Sequence, residues 1–310
     1  MAAEDQPCFR GTTFIPDPLV SGEPVRFPAL DGYDLGGVLY RKQLDCARAY
    51  KLSAVLSTGC GTAAFHYRHI AMYLASMNIP TLVYDYRGIG LSSCDDLAGL
   101  DAGLEDWAQY DAGGTIACMR SLFPHTSLAG VAHSIGCLLL PSAPNANEIS
   151  QYVLIAPNVG YVADYPLPWR PLMTFFHYIL MPRLASQLGY FPSKLFGTGE
   201  NLPARVALQW GSRTKPSFDM EALDRDGRAS ALLRSLKEAT AHALVLSASD
   251  DRWALEANVR RFLFVASNLR TVRRLVACSD VDNHPVGHWG YFRRSLGYAF
   301  WPTISRFLST

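Results

Sequence analysis

The stretch Ala132-His133-Ser134-Ile135-Gly136 decides the fold of this chain. It follows a short apolar run at residues 127–131 and precedes a second one at residues 137–140. This order predicts a strand, a sharp turn and a helix, with the serine at the apex of the turn. Small residues two positions before and two after the serine let the strand and the helix pass close together. We therefore expect the hydroxyl of Ser134 to be presented to a cleft.

Length and composition bound what the chain can be. Its 310 residues are enough for one large α/β domain with an inserted subdomain, and 49% of them are hydrophobic, so a sizeable core is expected. The formal net charge of +1 provides no basic field that would attract nucleic acid. We therefore expect a small, neutral or weakly charged molecule as the partner.

The cysteines and the apolar segments indicate a cytoplasmic protein. The seven cysteines are odd in number and contain no C-x-x-C pair, which disfavours both zinc and a disulfide framework. The first six residues lack the apolar core of a signal peptide. The apolar stretch at residues 172–181 is too short to span a bilayer and is interrupted by His177, so no integral membrane association is expected.

The apolar runs predict a mostly parallel sheet covered by helices on both faces. An opening antiparallel pair is expected at residues 25–29 and 35–41, a buried strand at 53–57 and a central strand at 81–85. Further strands are expected at 127–131, 152–156, 243–247 and 271–277. Helices are expected at about residues 65–77, 101–123, 255–267 and 291–308. Prolines and aromatic residues crowd the segment 158–241, which we interpret as a helical cap inserted between core segments 1–157 and 242–310.

Two loops after later strands carry the residue types that a serine nucleophile requires. A serine hydroxyl needs a base to remove its proton, and an imidazole base needs a carboxylate to fix its tautomer. Residues 248–252 contain Asp250 and Asp251, and residues 283–288 contain His284 and His288. Both loops follow predicted strands, at the sheet edge where Ser134 is expected.

These stretches together resemble the α/β-hydrolases of the monoacylglycerol-lipase and serine-aminopeptidase branch, and are closest to uncharacterised predicted α/β-hydrolases. The resemblance covers about residues 25–308. Besides the serine turn and the acid loop, it rests on Asp85-Tyr86-Arg87-Gly88-Ile89-Gly90-Leu91-Ser92 and Gly287-His288-Trp289-Gly290-Tyr291-Phe292-Arg293. Ala132 stands where the usual serine turn, the nucleophile elbow, has glycine. The implied fold is the α/β-hydrolase fold.

The resemblance also implies the catalytic residues. It gives Ser134 as the nucleophile, His288 as the general base and Asp251 as the orienting acid. Asp250 is a rival acid, but related loops place the carboxylate just before the basic residue, which favours Asp251. The expected oxyanion donors are the backbone N–H groups of Ile135 and Cys60.

Other histidines and glycines receive structural interpretations. We expect His284 at the surface or behind the site, and His133 packed beside the nucleophile. His66 and His69 have helical spacing but no Cys or Glu partner, so no metal is expected. Gly88 and Gly90 lack the third glycine of a dinucleotide motif, so no cofactor is expected either.

The predicted function is hydrolysis of an ester, lactone or thioester of a largely apolar small molecule through an acyl-enzyme. The aromatic cap would form an apolar roof over the site, although its aromatic residues could also serve only to pack it or to form a homodimer. The alternatives are an acyltransferase, a C–C bond hydrolase or a cyclase of a biosynthetic pathway on the same site, or a non-catalytic ligand receptor.

Overall fold

An eight-stranded sheet forms the centre of the structure, which is a computed structural model describing residues 9–10, 13–43, 50–213 and 227–310. The predictions for the first six residues, for Cys8 and Cys46 and for part of the cap lie outside the described residues. In spatial order the sheet strands are β12 (Arg270–Val276), β11 (His242–Ala248), β8 (Ile149–Ile155), β7 (Ser127–His133), β5 (Leu52–Ser57), β6 (Thr81–Tyr84), β4 (Asp34–Lys42) and β3 (Val20–Pro28).

The pairing within this sheet confirms the mostly parallel arrangement predicted from the sequence. Strand β4 pairs antiparallel with both β3 and β6, and all other neighbours are parallel. Two short antiparallel pairs lie outside the sheet, namely β1 (Phe9–Arg10) with β2 (Thr13–Phe14), and β9 (Tyr190–Phe191) with β10 (Leu202–Pro203). Parallel strands require crossover connections, which the helices supply.

Helices cover both faces of the sheet. They are α1 (Arg68–Ser76), α2 (Leu104–Asp106), α3 (Gly113–Leu122), α4 (Gly136–Leu139), α5 (Arg170–Phe175), α6 (Met181–Leu188), α7 (Ala204–Gly211), α8 (Arg228–Glu238), α9 (Glu256–Val265) and α10 (Gly297–Leu308). Side chains of β5 alternate between two cores, with Val55 in one and Ala54 and Leu56 in the other. The unbroken apolar strands of the sequence are thus buried on both sides.

Two helical segments contain π-helical turns. The turn Trp107–Ala112 joins α2 to α3, and the turn Phe176–Leu180 joins α5 to α6. Such turns are rare and are often found at functional sites. The second one belongs to the segment between β8 and β11, where helices α5 to α8 and the β9–β10 pair lie.

Buried ion pairs attach this segment to the core helices. Arg205 of α7 contacts Glu105 of α2 at 3.0 Å and also pairs with Asp106. Gln209 donates from Nε2 to Glu105 at 2.6 Å and accepts the N–H of Leu104 at 2.7 Å. Because these groups are buried, the two carboxylates have the arginine and glutamine contacts in place of water.

The last helix begins later than the sequence indicated. We expected it from residue 291, but α10 starts at Gly297, after a 3₁₀ turn at Gly290–Phe292. Tyr291 and Phe292 are buried, and the carbonyl of Tyr291 accepts the indole N–H of Trp301 at 2.8 Å. Tertiary packing of these aromatic residues therefore overrides the local helical pattern. No helix in the described part of the chain is long and apolar enough to cross a membrane.

Candidate active site

Ser134 occupies a strained turn at the end of β7. Its φ is +55°, in the left-handed region that non-glycine residues rarely adopt, and its N–H donates to the carbonyl of Ile155 at 2.9 Å. A Cβ at Gly136 would lie 2.7 Å from Ser57 Oγ, so glycine is required where α4 passes β5. Ala132 is fully buried within β7, where its methyl group packs in the core. The sequence change from glycine is therefore accommodated.

His288 and Asp251 form a buried pair across the two later loops. His288 Nδ1 lies 2.8 Å from Asp251 Oδ2, and both side chains are almost inaccessible to solvent. The second oxygen, Oδ1, accepts the backbone N–H groups of Trp253 at 2.7 Å and Ala254 at 2.9 Å. The carboxylate is thus held in place by its own loop. With Nδ1 bonded to the carboxylate, Nε2 is the nitrogen left for proton transfer.

The rivals of these two residues have other partners. Asp250 Oδ1 accepts the N–H of Gly287 at 2.9 Å, so it supports the loop that carries His288 without binding the imidazole. His284 is exposed, and its Nδ1 lies 3.0 Å from the carbonyl of Val281. The structure therefore brings Asp251, and neither Asp250 nor His284, to the His288 ring.

A tight turn after β5 carries the first predicted oxyanion donor. The N–H of Thr62 donates to the carbonyl of Gly59 at 3.2 Å, and Gly61 has a φ of +64°. Cys60 in this turn lines the same cavity as Ser134. Burial raises the pKa of the Cys60 thiol to about 12, which keeps it protonated and a poor nucleophile. Ile135, the second predicted donor, directly precedes α4.

A buried hydrogen-bond chain connects the three loops of the site. The N–H of Gly59 donates to Tyr67 Oη at 2.8 Å, and Tyr67 Oη lies 2.8 Å from His133 Nδ1. His133 Nε2 lies 3.1 Å from the carbonyl oxygen of His288. Since the carbonyl can only accept, His133 carries its proton on Nε2 and accepts the Tyr67 hydroxyl at Nδ1. Burial, followed by the charge of His288, holds the pKa of His133 well below its usual value.

Tyr67 was not identified from the sequence. His133 was expected to pack beside the nucleophile, and it does so with both ring nitrogens bonded. Tyr67 lies within the predicted helix 65–77, in its 3₁₀ first turn, and no motif distinguishes it there from an ordinary core residue. Only the folded chain shows that its hydroxyl reaches both Gly59 and His133.

The stretch 85–92 connects the loops around the site by hydrogen bonds and ion pairs. Asp85 accepts the N–H groups of Ala64 at 2.6 Å and Leu91 at 2.8 Å, and so ties together the loops after β5 and β6. Arg87 pairs with Asp31 at 2.7 Å and with Asp111 at 2.6 Å. Arg87 therefore forms ion pairs, whereas Asp85 binds backbone N–H groups.

A cavity of about 870 Å³ contains Ser134, His288 and Cys60. The segment between β8 and β11 contributes apolar side chains to its wall, namely Phe176, Met181, Phe191, Leu202 and Trp210. His177, on the π-helical turn, also lines it, and its Nδ1 is buried with no hydrogen-bond partner among the described residues. Burial, together with the charge of Arg213, lowers the pKa of His177 to about 4. His177 therefore presents a neutral imidazole to the cavity.

The histidines near the cavity do not form a metal-binding cluster in the described part of the chain. In the described ranges, no group of three or more His, Cys, Asp or Glu side chains is arranged to hold a metal ion. His69, one of the two histidines at helical spacing, is part-buried and lines the cavity instead, as does His66.

Comparison with known proteins gives a family and a fold. Residues 50–272 match the family model described as "Serine aminopeptidase, S33". No curated protein sequence gives a significant match. Among solved structures, the Pyrococcus furiosus esterase Pf2001 is similar at 14% identity and a TM-score of 0.58, over 93% of this chain and 91% of that one.

Two further solved structures share the fold. The Pyrococcus horikoshii acylaminoacyl peptidase is 12% identical with a TM-score of 0.58, over 94% of this chain and 42% of that one. The thioesterase domain from the curacin biosynthetic pathway is 11% identical with a TM-score of 0.52, over 94% of this chain and 100% of that domain. At these identities the likeness concerns the fold alone.

Proposed function

The chain belongs to the serine aminopeptidase S33 family of α/β-hydrolases, and from this premise we propose that it hydrolyses an ester or thioester through an acyl-enzyme. In this proposal Ser134 is the nucleophile, His288 the general base and Asp251 the acid that orients it. The N–H groups of Cys60 and Ile135 form the oxyanion hole.

Acylation of the enzyme begins with Ser134. Its Oγ attacks the carbonyl carbon of the substrate while its proton passes to His288 Nε2. The carbonyl oxygen becomes an oxyanion, which the two backbone N–H groups stabilise. The bond to the leaving oxygen or sulfur then breaks, and the leaving group takes the proton from His288.

Deacylation repeats these steps with water. His288 removes a proton from the water molecule, the resulting hydroxide attacks the acyl carbon, and the second oxyanion is stabilised in the same place. Collapse of this intermediate releases the carboxylic acid and returns the proton to Ser134. Throughout, Asp251 keeps the imidazole in the tautomer that this sequence requires and stabilises its charged form.

The segment 158–241 is proposed to act as a cap that selects the substrate. Its apolar side chains line the cavity wall next to Ser134, which favours an acyl group with an aliphatic or aromatic body. His177 adds a neutral imidazole to this wall, and Asn158, Ser193 and Thr198 of the same segment also line the cavity. The substrate would therefore be mainly apolar where it contacts the cap.

One observation carries the proposal. The buried His288–Asp251 pair at 2.8 Å and the strained Ser134 line or border the same cavity. Polar side chains are costly to bury and left-handed backbone is costly for serine, so their coincidence in one cavity favours a catalytic role over a structural one.

A fluorophosphonate probe tests the assignment directly. We expect the probe to label the wild type and the matched control Ser249→Ala, whose serine is exposed on the loop after β11, but not Ser134→Ala. Failure to label the wild type would reject the serine hydrolase, and equal labelling of Ser134→Ala would reject Ser134 as nucleophile. Hydrolysis of a p-nitrophenyl ester should be lost in His288→Ala and retained in His284→Ala.

A further inference from the structure

Three arginines line the outer part of the cavity. Arg293 and Arg294 are exposed and Arg68 is partly exposed, whereas Ser134 and His288 are buried. The cavity thus has a buried catalytic end and a cationic mouth. This arrangement was not apparent from the overall charge of the chain, which is close to neutral.

Tertiary packing brings the three arginines together. The rings of Tyr67 and Phe292 lie 4.6 Å apart, which places the chain segments carrying Arg68 and Arg293 side by side. Arg294 Nε donates to the carbonyl of Phe14 at 2.6 Å. The pKa of His69 is lowered by its burial and then by the charges of Arg68 and Arg294. Both guanidinium groups therefore lie near the His69 ring.

No acidic side chain among the described residues pairs with these arginines. Their hydrogen bonds go to backbone carbonyls, from Arg68 to Phe65 at 3.0 Å and from Arg293 to Pro285 at 3.2 Å. A carbonyl uses one or two of the several N–H donors of a guanidinium and brings no negative charge. The Arg68 guanidinium also stacks on the Phe65 ring at 3.8 Å, which carries no net charge either.

The acidic side chain that lines the cavity does not neutralise the three arginines. Among the described residues that line the cavity, the single acidic one is Glu200, and it pairs with Lys194 at 2.7 Å.

From these observations we propose that Arg68, Arg293 and Arg294 form an anion-binding subsite, and that the substrate carries a carboxylate or a phosphate on the half that extends to the mouth. The inference rests on the proposed function and extends it to a substrate class. The apolar acyl group lies at the buried end, and the guanidinium groups bind the anion by charge-assisted hydrogen bonds.

Two matched pairs of thioesters test the subsite. The first pair is octanoyl-4′-phosphopantetheine and octanoyl-pantetheine, which differ by the phosphate. The second pair is the octanoyl thioesters of 3-mercaptopropionate and 3-mercaptopropionamide, which differ by the carboxylate. We expect kcat/KM to be about 10-fold higher or more for the anionic member of at least one pair. The pair that shows the larger ratio identifies which anion the substrate carries.

Variants show whether the arginines cause the preference. The triple variant Arg68→Gln, Arg293→Gln, Arg294→Gln should lose it, and Arg293→Gln alone, at an exposed position, should reduce it. The control Arg270→Gln, exposed on β12 outside the cavity, should retain it. For the wild type, about 1 M salt should reduce kcat/KM of the anionic member alone, since the screening length falls to about 3 Å.

Binding separates this proposal from the proposed function. In Ser134→Ala no acyl-enzyme forms, and the tryptophans lining the cavity, among them Trp289, report binding by fluorescence. We expect the anionic member to bind about 10-fold tighter or more than its neutral partner. Equal affinities, or a preference that persists in the triple variant, would overturn the subsite even if the neutral thioesters are hydrolysed. If no thioester is hydrolysed but the binding preference follows the arginines, thioester hydrolysis is refuted and the subsite stands.

Discussion

The hydroxyl of Tyr67 should matter for both stability and catalysis, and Tyr67→Phe isolates it. This hydroxyl accepts the N–H of Gly59 and donates to His133 Nδ1, each at 2.8 Å, and the whole side chain is buried. Phenylalanine keeps the ring and its contact with Phe292 at 4.6 Å. The substitution therefore removes two hydrogen bonds and leaves the packing in place.

The structure sets the size of the effect on stability. Each buried polar group left without a partner costs about 1–3 kcal/mol, so the free energy of unfolding should fall by about 2–6 kcal/mol. An entropy of unfolding near 2.1 cal/mol/K per residue is about 0.65 kcal/mol/K for a chain of 310 residues. The melting temperature should thus decrease by about 3–9 °C.

Catalysis should suffer as well, because the two lost bonds position the proposed machinery. Gly59 directly precedes Cys60, and His133 directly precedes Ser134 and binds the carbonyl of His288. A displacement of these loops by a fraction of an ångström should lower kcat for a p-nitrophenyl ester by about 10- to 100-fold. KM should change less, since the hydroxyl does not line the cavity.

Calorimetry and ester hydrolysis measure the two effects, with Tyr298→Phe as the control. The hydroxyl of Tyr298 also makes one hydrogen bond, to Asp282 at 2.8 Å, but near the surface. Its loss should lower the melting temperature by less than about 1 °C. If Tyr67→Phe melts within about 1 °C of the wild type and retains its kcat, the hydrogen-bond chain does not position the site.

Three further predictions follow from single side chains. Asp251→Asn should lower kcat for ester hydrolysis by about 10³- to 10⁴-fold, and Asp250→Asn by about 10-fold or less; similar losses in both would contradict the choice of acid. The pKa of His177 is about 4 in the folded protein and 6.5 for an unperturbed histidine, as in the unfolded chain. Between pH 4 and 6.5 the unfolded chain therefore carries a proton on this histidine that the folded chain lacks. As pH falls from 7 to 4, urea unfolding should show the wild type losing about 3 kcal/mol relative to His177→Gln, and a pH-independent difference would refute the burial argument. Arg205→Ala should destabilise the fold by about 3–5 kcal/mol, because it removes the cation paired with buried Glu105 and one of the cations paired with buried Asp106, which keeps Arg228 at 2.6 Å. The exposed Arg260→Ala should cost about 0.5 kcal/mol or less, and equal costs in urea unfolding would contradict this.

Much of the fold was predictable because local patterns specify it. Apolar runs that alternate with helical patterns indicate strands buried on both faces, and those at residues 53–57, 127–131, 152–156 and 243–247 lie in the sheet. Small residues around Ser134 permit the sharp strand–turn–helix geometry that the structure adopts there. The start of α10 was wrong by six residues, because the burial of Tyr291 and Phe292 outweighs helical periodicity.

The chain order of Ser134, the two-aspartate loop and the two-histidine loop was readable from the amino-acid pattern, because an α/β sheet places the carboxyl ends of its strands along one edge. Which aspartate meets which histidine depends on ångström-scale loop geometry, and the 2.8 Å contact of Asp251 with His288 exists only in the folded chain. The same holds for Tyr67 and for the three arginines at the cavity mouth. Tyr67 meets His133, which is 66 residues away, and Arg68 lines the same cavity as Arg293 and Arg294 from a distant part of the chain, so no local spacing records either arrangement.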